Sequence, residues 1–335
     1  VEFMSKVTLL DIAKYANVSR TTASMVLNNK DINVSEETRN RVLEAAKELN
    51  YIPNSLARSL STKKSYTIGF VIPDIENPFF AEMAKAIEIE AEKHGYSIIL
   101  CNTFNSSRKE EEYIRLLISK LVDGVIIVAS GKKSNSINML KSNEVPFVVV
   151  DRHIDEEENV NGVFCDNEEG IKIGLDYLIG KGYKNIAFVG ATQNEVSSNS
   201  RLRYFEKISN EYNIFNELLL EEDEISLQGG INATERLMTK NNNIDVIFYS
   251  SDIMAIGGIK CLIRKGLKVP EDIGILGYDN IGICSYIEPE LTTIAQPIYN
   301  MGKEAFNLLM DVASNNSKEN IINLKPYLVE RKTVK

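Results

Sequence analysis

"DIAKYANVSRTTASMVLNN", residues 11–29, reads as two short helices meeting at a bend at Ala16-Asn17-Val18. Thr8, just upstream, supplies a capping oxygen, and Asp11 puts an acid in the first turn. Leu9, Ile12 and Ala13 recur at helical spacing, and Ala13 is small enough to let a second helix cross closely. Asn17 falls where the chain must turn, and asparagine accepts a left-handed backbone better than most residues other than glycine. Ser19 caps the second helix, whose inner stripe is Ala23, Val26 and Leu27. Its outer face carries Arg20, Thr21, Thr22, Ser24 and Met25, small donors and acceptors around one charge.

A third helix is predicted after Ser35-x-x-Thr38, with Val42, Ala46 and Leu49 on one face and Arg39, Arg41 and Lys47 outside. Three helices around a small core, two of them joined by a tight corner, form the helix-turn-helix pattern. In it the second helix enters the DNA major groove, where short polar side chains read base edges. Such helix pairs also occur in proteins that never meet DNA. The following segment, "YIPNSLARSLSTKKS" at residues 51–65, sharpens the choice. Pro53 ends the third helix, and Asn54 caps a short one running to about Leu60. A helix of this length is too short to persist alone, so it orders only against something else. The alternative is a plain linker with incidental apolar residues.

Charge divides the chain in the same place. Residues 1–64 hold 10 Lys/Arg against 7 Asp/Glu, whereas the remainder holds 28 against 40, for a net charge of −9 over 335 residues. A basic head on an acidic body fits a head that touches phosphate and a body with another task. A hydrophobic content of 44% with 25% charged residues is that of a globular protein with room for full cores. No apolar run is long enough to span a membrane and no secretory signal is visible, so a cytoplasmic protein is expected. Cys101, Cys165, Cys261 and Cys284 are far apart in mostly apolar runs and read as reduced, buried thiols. The two histidines, His94 and His153, have no partner at metal-ligand spacing, so no metal site and no cofactor are expected.

After Ser65 the pattern changes to near-continuous apolar runs alternating with helical ones. The strand-like runs are "TIGFVIP" (67–73), "SIILCNT" (97–103), "GVIIVAS" (124–130), "PFVVV" (146–150), "NIAFVGA" (185–191), "DVIFYSS" (245–251) and "IGILGY" (273–278). Helical patterns fall at 79–94, 107–121, 168–181, 228–240 and 252–265. This is an α/β pattern with parallel sheets covered on both faces, in two lobes rather than one. Ligands of such folds bind outside the carboxyl ends of the strands, so two lobes would share a cleft. Polar residues cluster at those ends: "PDIENPFF" with Asp74, Asn77, Phe79 and Phe80, then "DRH" at 151–153, "SSD" at 250–252 and "YDN" at 278–280. Arg201 and Arg203 lie near the start of the helix after Gly190. Aspartates and an arginine around aromatic faces suit a sugar, although an aspartate at a strand end can equally cap the next helix.

The stretches "VTLLDIAKYANVSRTTASMVLNN" and "VSEETRNRVLEAAKELNYIPNSLARSL" closely resemble the start of the lactose repressor/galactose repressor (LacI/GalR) family of bacterial transcription regulators, and the resemblance continues to about Lys332. It implies an N-terminal all-α helix-turn-helix domain (7–53), a hinge helix and linker (54–65), and an α/β two-lobed core (66–333) of the periplasmic-binding-protein-like type I. The lobes would comprise 66–163 with 292–324, and 164–291 with 325–333. Carried to matching positions, DNA contacts fall on Thr8, Ser19, Arg20, Thr21, Thr22, Ser24 and Asn28, and in the hinge on Asn54, Ala57 and Leu60. The leucine matching Leu60 is a wedge that opens a minor-groove base step. Effector contacts fall on Asp74, Phe79, Phe80, Asp151, Arg203, Ser251, Asp279 and Gln296. Two departures bear on the effector: the family's Arg-x-x-Gly reads Arg203-Tyr-Phe-Glu206, and Ile225 stands where several sugar-responsive members carry a stacking aromatic.

The implied partners are double-stranded operator DNA, a small-molecule effector (a sugar or sugar phosphate) and a second copy of the chain. After "NLKPYLVERK" no apolar heptad follows, which predicts a homodimer rather than a coiled-coil tetramer. No Gly-rich nucleotide loop, Ser/His/Asp set or metal-ligand spacing supports an enzyme, and no catalytic residues are assigned. A periplasmic solute receptor fits the body alone but neither the basic head nor the missing signal. A regulator whose co-effector is a phosphorylated carrier protein fits the same body and is separated by ligand-binding assay.

Overall fold

The computed structural model describes residues 7–28, 33–52, 64–129, 135–152, 160–192, 199–240, 243–314 and 320–335. The hinge positions Asn54, Ala57 and Leu60 lie outside them. Two units emerge, residues 1–65 and 66–335.

The first unit contains α1 (Leu9–Tyr15), α2 (Arg20–Leu27) and α3 (Glu36–Glu48). Thr8 and Asp11 form a reciprocal capping box: the Thr8 N–H donates to Asp11 Oδ2 at 2.9 Å, and the Asp11 N–H donates to Thr8 Oγ1 at 3.4 Å. Asn17 adopts φ 51° at the corner between α1 and α2, the left-handed conformation its residue type tolerates. Ser19 and Ser35 cap α2 and α3. Ile12, Ala13, Ala16, Ala23, Val26, Val42 and Ala45 make the core, with Leu9, Leu27, Ala46 and Leu49 partly buried around it. Tyr15 donates a short hydrogen bond to Glu48, tying α1 to α3. With so small a core, each cap is a large share of stability. Thr8→Ala is expected to destabilise this unit by about 1 kcal/mol, measured as an earlier urea midpoint for its transition.

The second unit has two sheets. In chain order the first begins with β1 (Thr67–Ile72), α4 (Pro78–Lys93), β2 (Ser97–Asn102), α5 (Ser107–Ser119), β3 (Gly124–Ile127), α6 (Asn135–Ser142), β4 (Phe147–Val150) and β5 (Gly162–Cys165). The second holds α7 (Asn167–Gly180), β6 (Ile186–Ala191), α8 (Asn199–Glu211), β7 (Leu220–Asp223), α9 (Leu227–Lys240), β8 (Val246–Tyr249), α10 (Asp252–Arg264), β9 (Gly274–Asp279) and β10 (Thr292–Ala295). The chain then returns to the first lobe for α11 (Ile298–Ala313) and β11 (Ile321–Leu324), and ends in the second with β12 (Tyr327–Val329).

The strand orders are β11-β5-β4-β3-β1-β2 and β12-β10-β9-β8-β6-β7. All pairings are parallel except β12 against β10. The lobes therefore divide at different points from those the resemblance implies. β5 stays whole in the first sheet, and β10 belongs to the second, so the crossings fall at Asp166, at Gln296-Pro297 and between β11 and β12. The expected single run "NLKPYLVERK" splits into two strands, one in each sheet. The physical reason is register: Ile321–Leu324 continues β5 alongside 162–165, whereas Tyr327–Val329 turns to face β10. One buried apolar cluster runs through both lobes, from Phe70 and Phe79 to Val189 and Tyr249, with Ile281 and Ile298 also within it.

Candidate effector site and DNA-reading helix

The carboxyl ends of six strands converge on one pocket. After β1 the chain turns through Asn77, whose Oδ1 accepts the Phe79 N–H at 3.1 Å and starts α4 at Pro78. This buries Phe79 and Phe80 at the pocket, their rings edge-on with centroids 5.2 Å apart. Asp151 and Arg152 follow β4, Asp151 at φ 65°. Asn167 opens α7 after β5, Ser251 follows β8, Asp279 ends β9 and Gln296 follows β10.

Arg201, on the first turn of α8, is the centre of the pocket's polar structure. Its Nη1 donates to the Ser250 carbonyl at 2.6 Å and to Asp279 Oδ1 at 3.2 Å, its Nε donates to Asn167 Oδ1 at 2.8 Å, and its guanidinium lies 3.8 Å over the Tyr278 ring. Gln296 Nε2 donates to the same Asp279 oxygen at 2.8 Å. Burial pushes the Asp279 carboxyl up to about 7; the Arg201 charge opposes that rise and Asp252 adds to it.

Several groups are left with capacity. Among the described residues Arg201 Nη2 and Asp279 Oδ2 make no hydrogen bond. Ser251 stands at the N-cap of α10 but its hydroxyl makes no capping bond, and Oγ is buried without a partner. A serine at that position normally accepts from the helix N–H groups; here its oxygen is left over in the pocket. A fork of N–H donors, a carboxylate oxygen and a hydroxyl beside two aromatic rings can hold a polyhydroxylated ring. The lining charges balance, Asp151 and Asp279 against Arg152 and Arg201, which gives no excess attraction for an anion.

Of the expected effector residues, Phe79, Phe80, Asp151, Ser251, Asp279 and Gln296 line this pocket. Two do not. Arg203 is exposed, because residues two apart on a helix sit about 200° apart around it. Only one arginine of "RLR" can point inward, and it is Arg201. Asp74 folds back on its own loop, its Oδ1 accepting the Glu76 N–H at 3.1 Å, and it is absent from the lining. Asn77, Arg152 and Asn167 also line the pocket, as does Ile225, which brings no aromatic ring. Asn167 followed β5, whose apolar run is only Val163-Phe164-Cys165, so the strand-end rule had nothing to point to it.

In the head, Ser19 Oγ accepts the Thr22 N–H at 3.0 Å, with the two hydroxyls 2.8 Å apart. Arg20 and Thr21 are exposed on the first turn of α2, whereas Asn28 Nδ2 donates back to the Ser24 carbonyl at 2.7 Å. Thr8 lies at the start of α1, committed to its capping box. Among the described residues no group of three or more His, Cys, Asp or Glu is placed to hold a metal ion, and no helix is long and apolar enough to cross a membrane.

Comparison with known proteins agrees with this architecture. Residues 8–54 match the model of bacterial regulatory proteins of the lacI family, and residues 65–330 match that of periplasmic binding proteins and the sugar-binding domain of the LacI family. The HTH-type transcriptional repressor PurR of Histophilus somni is 37% identical over 331 residues, covering 98% of this chain and 99% of that one. The ribose operon repressor of Halalkalibacterium halodurans is 37% identical over 303 residues, 90% and 89% of the two chains. Among solved structures, the Lac repressor dimer bound to operator and the anti-inducer ONPF superposes with a TM-score of 0.88 at 27% identity, over 98% of this chain and 99% of that one. With both parts matched along nearly their whole length and in this order, the chain belongs to the LacI family of DNA-binding bacterial transcriptional regulators.

Proposed function

We propose that the chain is a cytoplasmic repressor that binds a near-palindromic operator as a homodimer and is controlled by a neutral sugar held between the two lobes of its core. One observation supports the effector class above the others: the Arg201–Asp279–Gln296 constellation keeps an arginine fork, a carboxylate oxygen and the Ser251 hydroxyl unspent beside Phe79 and Phe80. The balanced lining charge favours a neutral ligand over a sugar phosphate. The relative named as a ribose operon repressor agrees with the hydroxyl-matching groups. The ligand controls DNA binding only through its unequal affinity for two states of the protein.

Arg20 and Thr21 read the operator. An exposed arginine and an exposed threonine hydroxyl at the start of α2 can reach base edges. The test is selection of an operator from random duplexes, followed by anisotropy titrations. Exchanging Arg20 and Thr21 for other residues should move the preferred base, at roughly 1–3 kcal/mol per mismatched pair; equal weakening on all duplexes would reduce both to phosphate contacts. A thermal-shift screen of neutral sugars completes it, since a ligand at about 100 times its Kd stabilises the fold by roughly 2.7 kcal/mol. Stabilisation by sugar phosphates but not by free sugars would overturn the neutral class.

A further inference from the structure

The turn after β9 is strained where it meets the pocket. Asp279 stands at φ 120° and Asn280 at φ 60°, two consecutive residues other than glycine with positive φ. Asparagine tolerates the second value. The first lies well away from the left-handed well near 57° that L residues can reach. Such a conformation persists only where its surroundings over-determine it. The sign of φ decides which way the Asp279 side chain leaves the backbone. The same turn therefore directs its carboxylate to Arg201 Nη1 and Gln296 Nε2.

The groups that fix the turn come from outside the pocket. Asp252 Oδ2 accepts the Ile281 N–H at 3.0 Å. Arg331, two residues past β12, grips the turn itself: its Nη2 donates to Asn280 Oδ1 at 2.7 Å, and its Nη1 donates to the Leu291 carbonyl at 2.7 Å. Both partners are neutral oxygens, and Arg331 is absent from the pocket lining. A rigid guanidinium fork that spans them sets the distance between the strained turn and the residue before β10. The backbone behind the fork is pinned as well. The Arg331 N–H donates to Thr292 Oγ1 at 3.0 Å. The fully buried Thr333 accepts the Thr292 N–H at 2.8 Å and donates its hydroxyl to the Ile275 carbonyl at 2.7 Å. The last residues of the chain are thus sewn to β9, which ends in Asp279, and to β10, which leads to Gln296.

We propose that Arg331 is a positioning residue of the effector site: without touching the effector, it holds the Asp279–Asn280 turn and so keeps the Asp279 carboxylate aimed into the pocket. The role rests on reading this pocket as the effector site, and not on the effector being a sugar.

Calorimetry on the full chain with ribose, glucose and galactose tests it, the tightest of the three serving as probe. Arg331→Ala and Asn280→Ala should each weaken that probe about tenfold, and the double variant by no more than about twofold beyond either, because both break one bond. Arg331→Lys keeps the charge and one donor but not the fork, so it should fold and lose roughly threefold. In the ligand-free chain the Gln296 N–H, bonded to the Asp279 carbonyl at 3.2 Å, should exchange with deuterium about tenfold faster in Arg331→Ala. Parent affinity in both Arg331 variants, even with a lower melting temperature, overturns the positioning role, as do losses that multiply in the double variant. Unchanged Gln296 exchange overturns it too, and that measurement decides the matter where none of the three sugars binds, an outcome that by itself overturns only the sugar reading. Arg201→Ala is the control: parent affinity there would move the effector site away from this pocket and take the role of Arg331 with it.

Discussion

Replacing Arg201 with alanine is expected to lower effector affinity at least a hundredfold, whereas Arg203→Ala leaves it within twofold. The two residues are two positions apart and carry the same charge, so the comparison isolates direction. Among the described residues Arg201 is the only cation that touches Asp279, and it also satisfies the Ser250 carbonyl and the Asn167 amide oxygen. Its removal takes away the donor fork for the ligand and leaves a buried carboxylate unpaired. Breaking a buried pair from one side costs about 3–5 kcal/mol of stability.

The pH dependence of that loss has a definite sign. Asp279 already sits above its ordinary value, at about 7, because burial outweighs the arginine's opposing charge. Without Arg201 it moves higher still. A carboxyl whose folded value lies above its unfolded one contributes stability at low pH and loses it as pH rises through the folded value. The stability deficit of Arg201→Ala relative to the parent chain should therefore be larger at pH 8 than at pH 5 in urea titrations. A deficit independent of pH would mean Asp279 carries no charge to be left behind. Operator affinity without effector should stay near normal, and calorimetry with the tightest sugar from the screen reads the affinity change.

Legibility followed physical signal. The head was readable because its caps, its corner and its core obey short-range rules: Thr8 with Asp11, Asn17 at φ 51°, and alanines and valines at helical spacing all stand as their residue types dictate. The apolar central strands were equally plain. β7, "LEED", was not, because an edge strand needs no apolar run. Its inward Glu221 is instead held by Arg236 at 2.6 Å, and Asp223 is paired with the same arginine at 2.9 Å. β5 has only three apolar residues in a row and β10 opens on two threonines, so both were lost in their surroundings, which misplaced the lobe borders. The arginine was misassigned for another reason. A motif match selects a position by spacing from its neighbours, and Glu206 in place of the family's glycine left that match without an anchor. Helix phase, which only the fold reveals, selects Arg201. Asp74 shows the limit of the strand-end rule: it finds polar residues near a cleft but not which of them serve the backbone.

Asp252 is the counterpart case, a strand-end aspartate whose carboxylate is spent on bonds within the fold, and stranding its donors by Asp252→Ala should cost the core about 3–5 kcal/mol. That corresponds to a fall in melting temperature of roughly 10 °C for a domain of this size. The residue is fully buried at the start of α10. Its Oδ1 accepts the Thr293 hydroxyl at 2.6 Å, and its Oδ2 accepts the Ile281 N–H at 3.0 Å and the Cys284 thiol at 3.2 Å. Alanine would strand those donors and leave a cavity beside Gly277, whose missing side chain is what lets the carboxylate approach. Burial pushes the Asp252 carboxyl up to about 6, so desolvation offsets part of what these bonds contribute and the loss stays below their sum. Asn should be milder, about 1–2 kcal/mol, because the Thr293 hydroxyl can turn to accept from an amide while the other oxygen keeps its donors. The bonded segments carry the site: Ile281 follows Asp279 by two residues, and Thr293 sits on β10 just before Gln296. The folded Asn variant should accordingly lose about tenfold in sugar affinity without touching ligand, as a positioning residue would. Normal sugar affinity in Asp252→Asn, together with the expected drop in melting temperature, would confine the residue to stability alone.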